Sequence, residues 1–491
     1  VAVAAFERVG ERDAAVARAA LVVPARAARR WTAESPHLYT LVLSLAPTGA
    51  RRGGGGGGGP VEVIASAVGL RTVEVRGGRL RVNGAPVTLR GVNRHEHDAV
   101  TGHVIGEEAM VRDVQLMRDF NFNCVRNSHY PCADRWYEIC DAAGLYVVDE
   151  ANIETHGMGF QPDRTLAADP TFEAAHVDRV RRTAERTKNH ACVILWSLGN
   201  EAGNGPAFHR AYEWLKRRDP TRPVQYENAR IEPGWDTNEI ETIDGNTDLY
   251  VPMYPSPAKL EKYAEACEGD ASARPLIMCE YSHAMGNSCG GLAEYWETIN
   301  KHGALQGGCI WDFVDQGIAM AGGAGAHVAY GYGGDFGPSG TPSDEAFCIN
   351  GLFQPDRTPN PHAWEAKHAQ QPIGVEVDEA AGGLGRADDD VAHLRVTNRF
   401  DFTELRDAVA AEWGLSVDGA ACAFMGFELP ACAPGATAAF ALPHGAGAVD
   451  GGGGAELWLT LRFVRHADRH EVAWAQFRLS GEDDDDEEQG E

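Results

Sequence analysis

The stretch Val193-Ile-Leu-Trp-Ser-Leu-Gly-Asn-Glu201 is an apolar run that stops abruptly in glycine, amide and carboxylate. A run this short and this apolar reads as a strand covered on both faces. A carboxylate placed where such a strand ends is costly if it merely packs. The pattern recurs in Leu276-Ile-Met-Cys-Glu280. Working outward, eight strand candidates emerge at 87–92, 122–127, 145–149, 193–198, 224–227, 249–253, 276–279 and 307–311. Helical spacing fills several gaps: Met110, Val114 and Met117 share one face of 106–120, and Phe208, Tyr212 and Leu215 form a stripe that Pro220 stops. Alternating βα units over residues 77–375 predict a (β/α)8 TIM barrel.

The flanks have a different texture. Residues 1–76 hold strand-like runs at 38–45 and 61–75 around the glycine tract 53–59, which reads as an expanded loop. Residues 376–481 return to strand texture at 394–396 and 457–464, with a glycine-rich loop at 451–454. The expected architecture is a multidomain α/β plus all-β chain, with the central barrel flanked by two immunoglobulin-like β-sandwiches. Residues 482–491 close it as an acidic, solvated tail, because a block of like charges repels itself.

Composition narrows the function classes. The chain has 491 residues, a formal net charge of −27, 44% apolar and 23% charged residues. That length suggests two to four domains. The negative balance argues against a nucleic-acid binder, which needs a basic face for phosphates. No apolar run reaches the roughly 18 residues of a membrane helix. Eleven scattered cysteines without a CxxC pair suggest free thiols in a reducing compartment. With no basic-then-apolar leader at the start, the expected location is cytoplasmic.

Polar residues of an unusual kind crowd the C-terminal ends of the barrel strands: His95; Arg126 and His129; Glu150, Asn152, Glu154 and His156; Asn200 and Glu201; Tyr254; Glu280 and His283; and Asp312. Active sites of this fold lie on that face. Strands four and seven oppose each other, so Glu201 and Glu280 can meet across the mouth. Paired carboxylates suit glycoside hydrolysis, one giving a proton to the leaving oxygen and the other attacking the anomeric carbon or activating water. Proximity of the two raises the pKa of one and keeps it an acid. Glu154 and His156, with Glu201, suit magnesium or manganese; a hydrogen-bonded Glu–His pair without metal is the plain alternative. His95 reads as a hydrogen-bond donor of the site and His97 as structural. Trp311 offers an apolar face to a sugar ring, whereas Trp196 fits the core better.

At these motifs the chain resembles the bacterial-type β-galactosidases of glycoside hydrolase family 2. The matching runs include Arg90-Gly-Val-Asn-Arg-His-Glu-His97, Ser128-His-Tyr-Pro131, Val148-Asp-Glu-Ala-Asn-Ile-Glu-Thr-His-Gly157, Trp196-Ser-Leu-Gly-Asn-Glu201, Cys279-Glu-Tyr-Ser-His283, Gly307-Gly-Cys-Ile-Trp311 and Phe347-Cys-Ile-Asn350. The resemblance implies Glu280 as nucleophile and Glu201 as acid/base of a retaining double displacement on terminal β-D-galactose. It implies Mg2+ on Glu154, His156 and Glu201, and Na+ near Asn350 and the Phe347 carbonyl. His95, His129, Asn200, Met253, Tyr254, His283, Trp311 and Asn350 would contact the sugar. It implies a homo-oligomer, and a chain lacking the family's N-terminal jelly roll and C-terminal large sandwich. Two other readings are another family 2 activity such as β-glucuronidase, and a catalytically impaired fragment that binds carbohydrate or a partner. No Asn-x-Lys motif for a sugar carboxylate occurs in the barrel loops, which disfavours the glucuronidase.

Overall fold

The structure, a computed structural model, describes residues 6–8, 15–17, 21–24, 26, 28–45, 61–232, 239–320, 329–384, 391–421, 423–445 and 456–480. The glycine tracts 53–59 and 451–454 and the acidic tail 482–491 lie outside the described residues.

At the N-terminal flank, β1 (Phe6–Arg8) pairs with β2 (Ala15–Ala17), and β3 (Leu38–Leu45) pairs with β4 (Glu62–Gly69), both antiparallel. The second pair is open: Val42, Leu43, Val63 and Ile64 are each more than half exposed. The intervening 31–36 segment anchors on the barrel instead. Trp31 is fully buried, and its indole N–H donates to the Asp141 carbonyl at 2.8 Å. A small antiparallel sheet follows, of β5 (Val73–Val75), β6 (Leu80–Val82) and β7 (Ala85–Pro86).

The barrel elements are β8 (Leu89–Arg94), α1 (Glu107–Asp119), β9 (Cys124–Asn127), α2 (Asp134–Ala143), β10 (Tyr146–Glu150), α3 (Glu173–Thr187), β11 (Val193–Ser197), α4 (Pro206–Arg218), β12 (Val224–Gln225), α5 (Pro257–Ala266), β13 (Leu276–Tyr281), α6 (Leu292–Lys301) and β14 (Leu305–Ile310). The strands form one parallel sheet in the order β12-β11-β10-β9-β8-β14-β13. Every residue of β8, β13 and β14 is buried, as strands covered by helices outside and side chains inside must be. The helices present the expected stripes: Met110, Val114 and Met117 on α1, and Phe208 and Leu215 on α4, are buried. In β14, Gly307 has φ +84, and a Cβ there would stand 2.1 Å from the Leu89 carbonyl oxygen, so only glycine lets β14 close against β8.

The sixth expected strand, 249–253, is not a regular strand. It survives as two isolated parallel bridges to β13, Tyr250 with Leu276 and Met253 with Glu280. Pro252 has no N–H to give to a ladder. On the other side the Asp248 N–H donates to the Val224 carbonyl at 2.8 Å, and its carboxylate accepts the Val224 N–H at 2.8 Å. Residues 248–254 thus bridge both edges of the sheet and close the barrel.

After the barrel strands come β15 (Ile318–Met320), β16 (Ala329–Gly331) and α7 (Pro361–Ala369). The C-terminal unit holds β17 (Ile373–Val377), β18 (Val391–Asn398), α8 (Leu405–Ala408), β19 (Val409–Val417), β20 (Ala420–Ala421), β21 (Met425–Phe427), β22 (Thr437–Pro443), β23 (Leu457–Arg465) and β24 (Glu471–Ser480). These make two antiparallel sheets, β17-β18-β22 and β20-β19-β23-β24, with β21 beside β19. Their inward residues alternate, as in Leu457, Leu459, Leu461 and Phe463, and with Leu394, Val396 and Val409 they fill one core. Among the described residues, no helix is long and apolar enough to cross a membrane. The ten described cysteines are free thiols.

Charge is buried beneath α1. Asp113 accepts from Arg94 at 3.0 Å and from Arg357 at 3.0 Å, and all three residues are buried. Removing the shared carboxylate leaves two unpaired guanidinium groups in the core. Asp113→Ala is expected to destabilise the barrel by about 3–5 kcal/mol in urea unfolding. A loss below about 1 kcal/mol would show that water reaches and screens the cluster.

Candidate active site

Arg126, at the end of β9, is fully buried and reaches the ends of four other strands. It donates to Glu150 at 2.8 Å, Glu280 at 2.8 Å, Asn93 Oδ1 at 2.9 Å and Asn200 Oδ1 at 2.7 Å. Burial alone would lower its pKa, but Glu150 and Glu280 hold it well above its ordinary value. Asn93 is itself held by the carbonyls of Cys279 and Cys309 at 3.0 and 3.1 Å. The planar fork of a guanidinium, with its five N–H donors, suits this many-sided task.

Glu280, one residue before the end of β13, has one oxygen on Arg126 and the other accepting the Tyr254 hydroxyl at 2.7 Å. Burial and the Glu280 charge push the Tyr254 phenol up, so it stays a donor. Met253 sits behind, buried and bridged to the Glu280 backbone. Glu201 follows β11 with φ +40, and its N–H donates to Glu227 at 2.6 Å. A left-handed conformation is uncommon for such a residue and turns the chain sharply at the strand end. Burial first, and then Glu280, Glu154 and Glu227, raise the Glu201 carboxyl to about 9. The two glutamates are therefore unlike: one is fixed by a cation and a phenol, and the other is surrounded by acids.

Glu154, His156 and Glu201 come together at the mouth, with one ligand atom of each within 4.8 Å of the others. The His156 Nδ1 lies 3.0 Å from a Glu201 oxygen, and Asn200 donates to Glu154 at 2.7 Å. Loss of hydration, then the Glu227 and Glu150 charges, lift the Glu154 carboxyl to about 8. So many acids facing one point favour a cation there.

His95, His129 and Trp311 form an aromatic wall. His129 stacks on Trp311 with ring centres 5.1 Å apart, and His95 meets Trp311 edge-on at 5.3 Å. His129 Nδ1 bonds Glu150 at 2.9 Å, and burial holds its pKa well below the ordinary value. Its neutral ring then keeps Nε2 as an acceptor. His95 faces the buried Asp312 at 3.4 Å. His283 lies between Tyr254 and Phe347, with ring centres 5.9 and 6.1 Å away, and burial lowers its pKa. Asn350 is buried, and its Nδ2 donates to the Phe347 carbonyl at 2.7 Å. Its Oδ1 is buried without a hydrogen-bond partner among the described residues. The Phe347 ring is exposed.

The structure thus gathers all the expected site residues at one end of the barrel. Outside the site, His97 is buried on the Gly317 carbonyl, and Trp196 is a core residue whose indole donates to Asp219. Sequence reading overlooked Asn93, Glu227 and Gln316. Asn93 lies one residue before the end of β8, and Glu227 had been placed inside the fifth strand, which in fact stops at Gln225. Gln316, which ends the family-matching run that begins at Gly307 but was given no role, donates to Asp312 at 2.7 Å from the loop after β14.

A parallel barrel whose C-terminal mouth opposes two carboxylates beside an aromatic wall has the build of the barrel glycosidases. Residues 73–375 match the profile described as glycosyl hydrolases family 2, TIM barrel domain, and residues 394–480 match β-galactosidase, domain 4. The chain belongs to glycosyl hydrolase family 2. It is 44% identical over 447 residues to a β-galactosidase of Aeromonas hydrophila, which covers 88% of this chain and 41% of that protein. It is 48% identical over 351 residues to a β-galactosidase of Vibrio cholerae, covering 70% and 32%. The chain therefore spans less than half the length of these relatives. In fold it is similar to a β-glucuronidase of Bifidobacterium dentium (TM-score 0.53, 23% identity, 69% of this chain and 54% of that one). It is likewise similar to a β-galacturonidase of Eisenbergiella tayi (TM-score 0.53, 18% identity, 73% and 62%).

Replacing Arg126 by Met would leave Glu150 buried against an apolar group. Burial already raises the Glu150 pKa, and losing Arg126 raises it further above the unfolded value. A raised carboxyl pKa destabilises the fold as pH rises above the unfolded value of roughly 4.3. Arg126→Met is expected to lose about 3–5 kcal/mol at pH 7 and to recover part of it near pH 4.5. A deficit independent of pH would mean that Glu150 finds another cation.

Proposed function

We propose that this chain carries the catalytic machinery of a retaining β-galactosidase acting on terminal non-reducing β-D-galactose. The observation that carries the reading is Glu280 held between Arg126 and Tyr254, opposite an acid-crowded Glu201. Arg126 and Tyr254 each hold one oxygen of Glu280 and aim the carboxylate, so Glu280 attacks the anomeric carbon and forms a galactosyl ester. Glu201, the carboxyl that keeps its proton, gives it to the departing glycosidic oxygen. Glu201 then takes a proton from water, or from an acceptor sugar, which attacks the ester and restores the β configuration. Tyr254 holds Glu280 during attack and release. His129 and His95 offer ring nitrogens to the sugar hydroxyls, and Trp311 offers its face to the C–H side of the ring. Asn200, Met253, His283 and Asn350 complete the pocket.

Glu154, His156 and Glu201 would hold Mg2+, or Mn2+, in an oxygen-rich set with one imidazole. When bound, the ion supplies positive charge beside Glu201. The unpartnered Asn350 Oδ1, with the Phe347 carbonyl, fits Na+. The same reading takes 1–76 and 376–481 as immunoglobulin-like sandwiches around a 77–375 barrel, in a cytoplasmic homo-oligomer. The ten free thiols fit the reducing compartment of that reading.

Turnover of nitrophenyl β-galactoside is the test. Glu201→Gln should lower kcat by roughly 10²–10⁴-fold, and Glu280→Gln should abolish it. Unchanged rates in both would refute the assignment, and preference for nitrophenyl β-glucuronide would move the specificity. In a separate magnesium titration, Glu154→Gln should raise the concentration for half-maximal activity by roughly tenfold or more. An unaltered midpoint would leave the cluster as a hydrogen-bonded Glu–His pair.

A further inference from the structure

The backbone that carries Glu201 is unusual on both sides. Gly199 has φ +153 and Gly203 has φ +66, conformations that side-chain-bearing residues rarely adopt. Glu201 itself has φ +40. A non-glycine residue stays in that region only where its surroundings over-determine it. The Glu201 carboxylate meets the His156 ring at 3.0 Å, and that ring is half exposed. The aim of the carboxyl therefore depends on how its backbone is held.

The holding comes from residues 226–230, just beyond β12. The Tyr226 hydroxyl donates to the Gly203 carbonyl at 2.5 Å, and Asn204 Nδ2 donates to the Arg230 carbonyl at 3.2 Å. Both bonds secure the segment after Glu201. Glu227 reaches Glu201 itself, its Oε1 accepting the Glu201 N–H at 2.6 Å. A carboxylate is a stronger acceptor for an N–H than a neutral carbonyl. The same oxygen accepts Asn228 Nδ2 at 2.6 Å, and Glu227 is buried. Its own carbonyl accepts Arg230 Nε at 3.1 Å, and Arg230 pairs with Glu241 at 3.4 Å. Glu227 is thus fixed at both side chain and backbone. The group of Glu154, His156 and Glu201 forms without it.

We propose that Glu227 is a positioning residue for the acid/base, fixing the Glu201 backbone so that its carboxyl stays in line with the glycosidic oxygen. The inference rests on the galactosidase reading and adds a residue to it. An acid/base must give and take a proton at one oxygen, so its side chain needs some freedom while its backbone needs none. A proton donor works only within hydrogen-bond reach, and a displacement of about 1 Å can cost roughly 10²-fold. The nucleophile is held by Arg126 and Tyr254 instead. Loss of Glu227 should therefore impair proton transfer and spare attack by Glu280.

The test compares two substrates of the whole chain with magnesium saturating. Dinitrophenyl β-galactoside loses its aryl oxide without needing a proton, whereas methyl β-galactoside needs one. In Glu227→Met, an apolar side chain of similar length, kcat/KM for the methyl galactoside should fall roughly 10²-fold, and that for the dinitrophenyl substrate less than about fivefold. On the dinitrophenyl substrate kcat and KM should fall together, because the galactosyl ester of Glu280 accumulates. Azide should restore that kcat. It attacks the anomeric carbon without a base, giving β-galactosyl azide and freeing the Glu280 carboxylate. Glu227→Gln keeps an oxygen for the Glu201 N–H and should recover roughly tenfold of the loss. Should Glu227→Met fail to fold, Glu227→Asp, which withdraws the acceptor by one methylene, carries the same comparison. Equal losses on both substrates without azide rescue mark a merely structural residue and would overturn the proposal, as would unchanged kcat/KM on the methyl galactoside. The galactosidase reading is judged separately, on the unmodified chain and Glu201→Gln. The positioning role fails by itself when Glu201→Gln shows the selective, azide-rescued loss and the Glu227 variants do not.

Discussion

The guanidinium of Arg126 is the point on which the mouth of the barrel depends. It is fully buried yet contacts Asn93, Glu150, Asn200 and Glu280, so it joins five strand ends through one charge. A barrel alone fixes strand positions only to the tolerance of its ladders. The hydrogen bonds of Arg126 fix where the side chains at those ends point. Its charge also separates the two opposing glutamates. Glu280 receives the cation directly, whereas Glu201 faces mainly other acids. Unlike environments for paired carboxylates are what divides acid from nucleophile.

The rest of the fold serves that arrangement. Glycine at 307 lets β14 approach β8 and brings the Trp311 end of that strand to the mouth. The irregular segment 248–254 sacrifices ladder pairing at Pro252, and the chain then turns at Tyr254, whose φ is +50, to place its phenol on Glu280. Where the backbone departs from regular strand or from common conformations, at Glu201 and Tyr254, the side chain is aimed into the site. The buried Asp113 cluster and Trp31 stabilise the outside of the barrel without touching this chemistry.

Much of this was legible in the sequence, because barrel strands carry a simple signal. Continuous apolar runs ended by Glu, His and Asn located seven of the eight strands and the end of the barrel where those polar residues gather. The helical stripes of α1 and α4 were equally plain. The sixth strand was overcalled, since hydropathy at 249–253 outweighed the missing N–H of Pro252. Glu227 was missed because its strand is only two residues long, so the expected end fell too late. The central role of Arg126 was also hidden. Its position at a strand end was visible, but the convergence of Asn93, Asn200 and Glu150 on it exists only in three dimensions.

The most direct test of the central claim is to trap the reaction partway with a 2-fluoro galactoside bearing a good leaving group and then map the labelled peptide by mass spectrometry. The fluorine slows release of the sugar ester more than its formation, so the nucleophile stays marked. The account predicts one sugar per chain, attached to Glu280. A label on any other residue, with Glu280 unmodified, would contradict it.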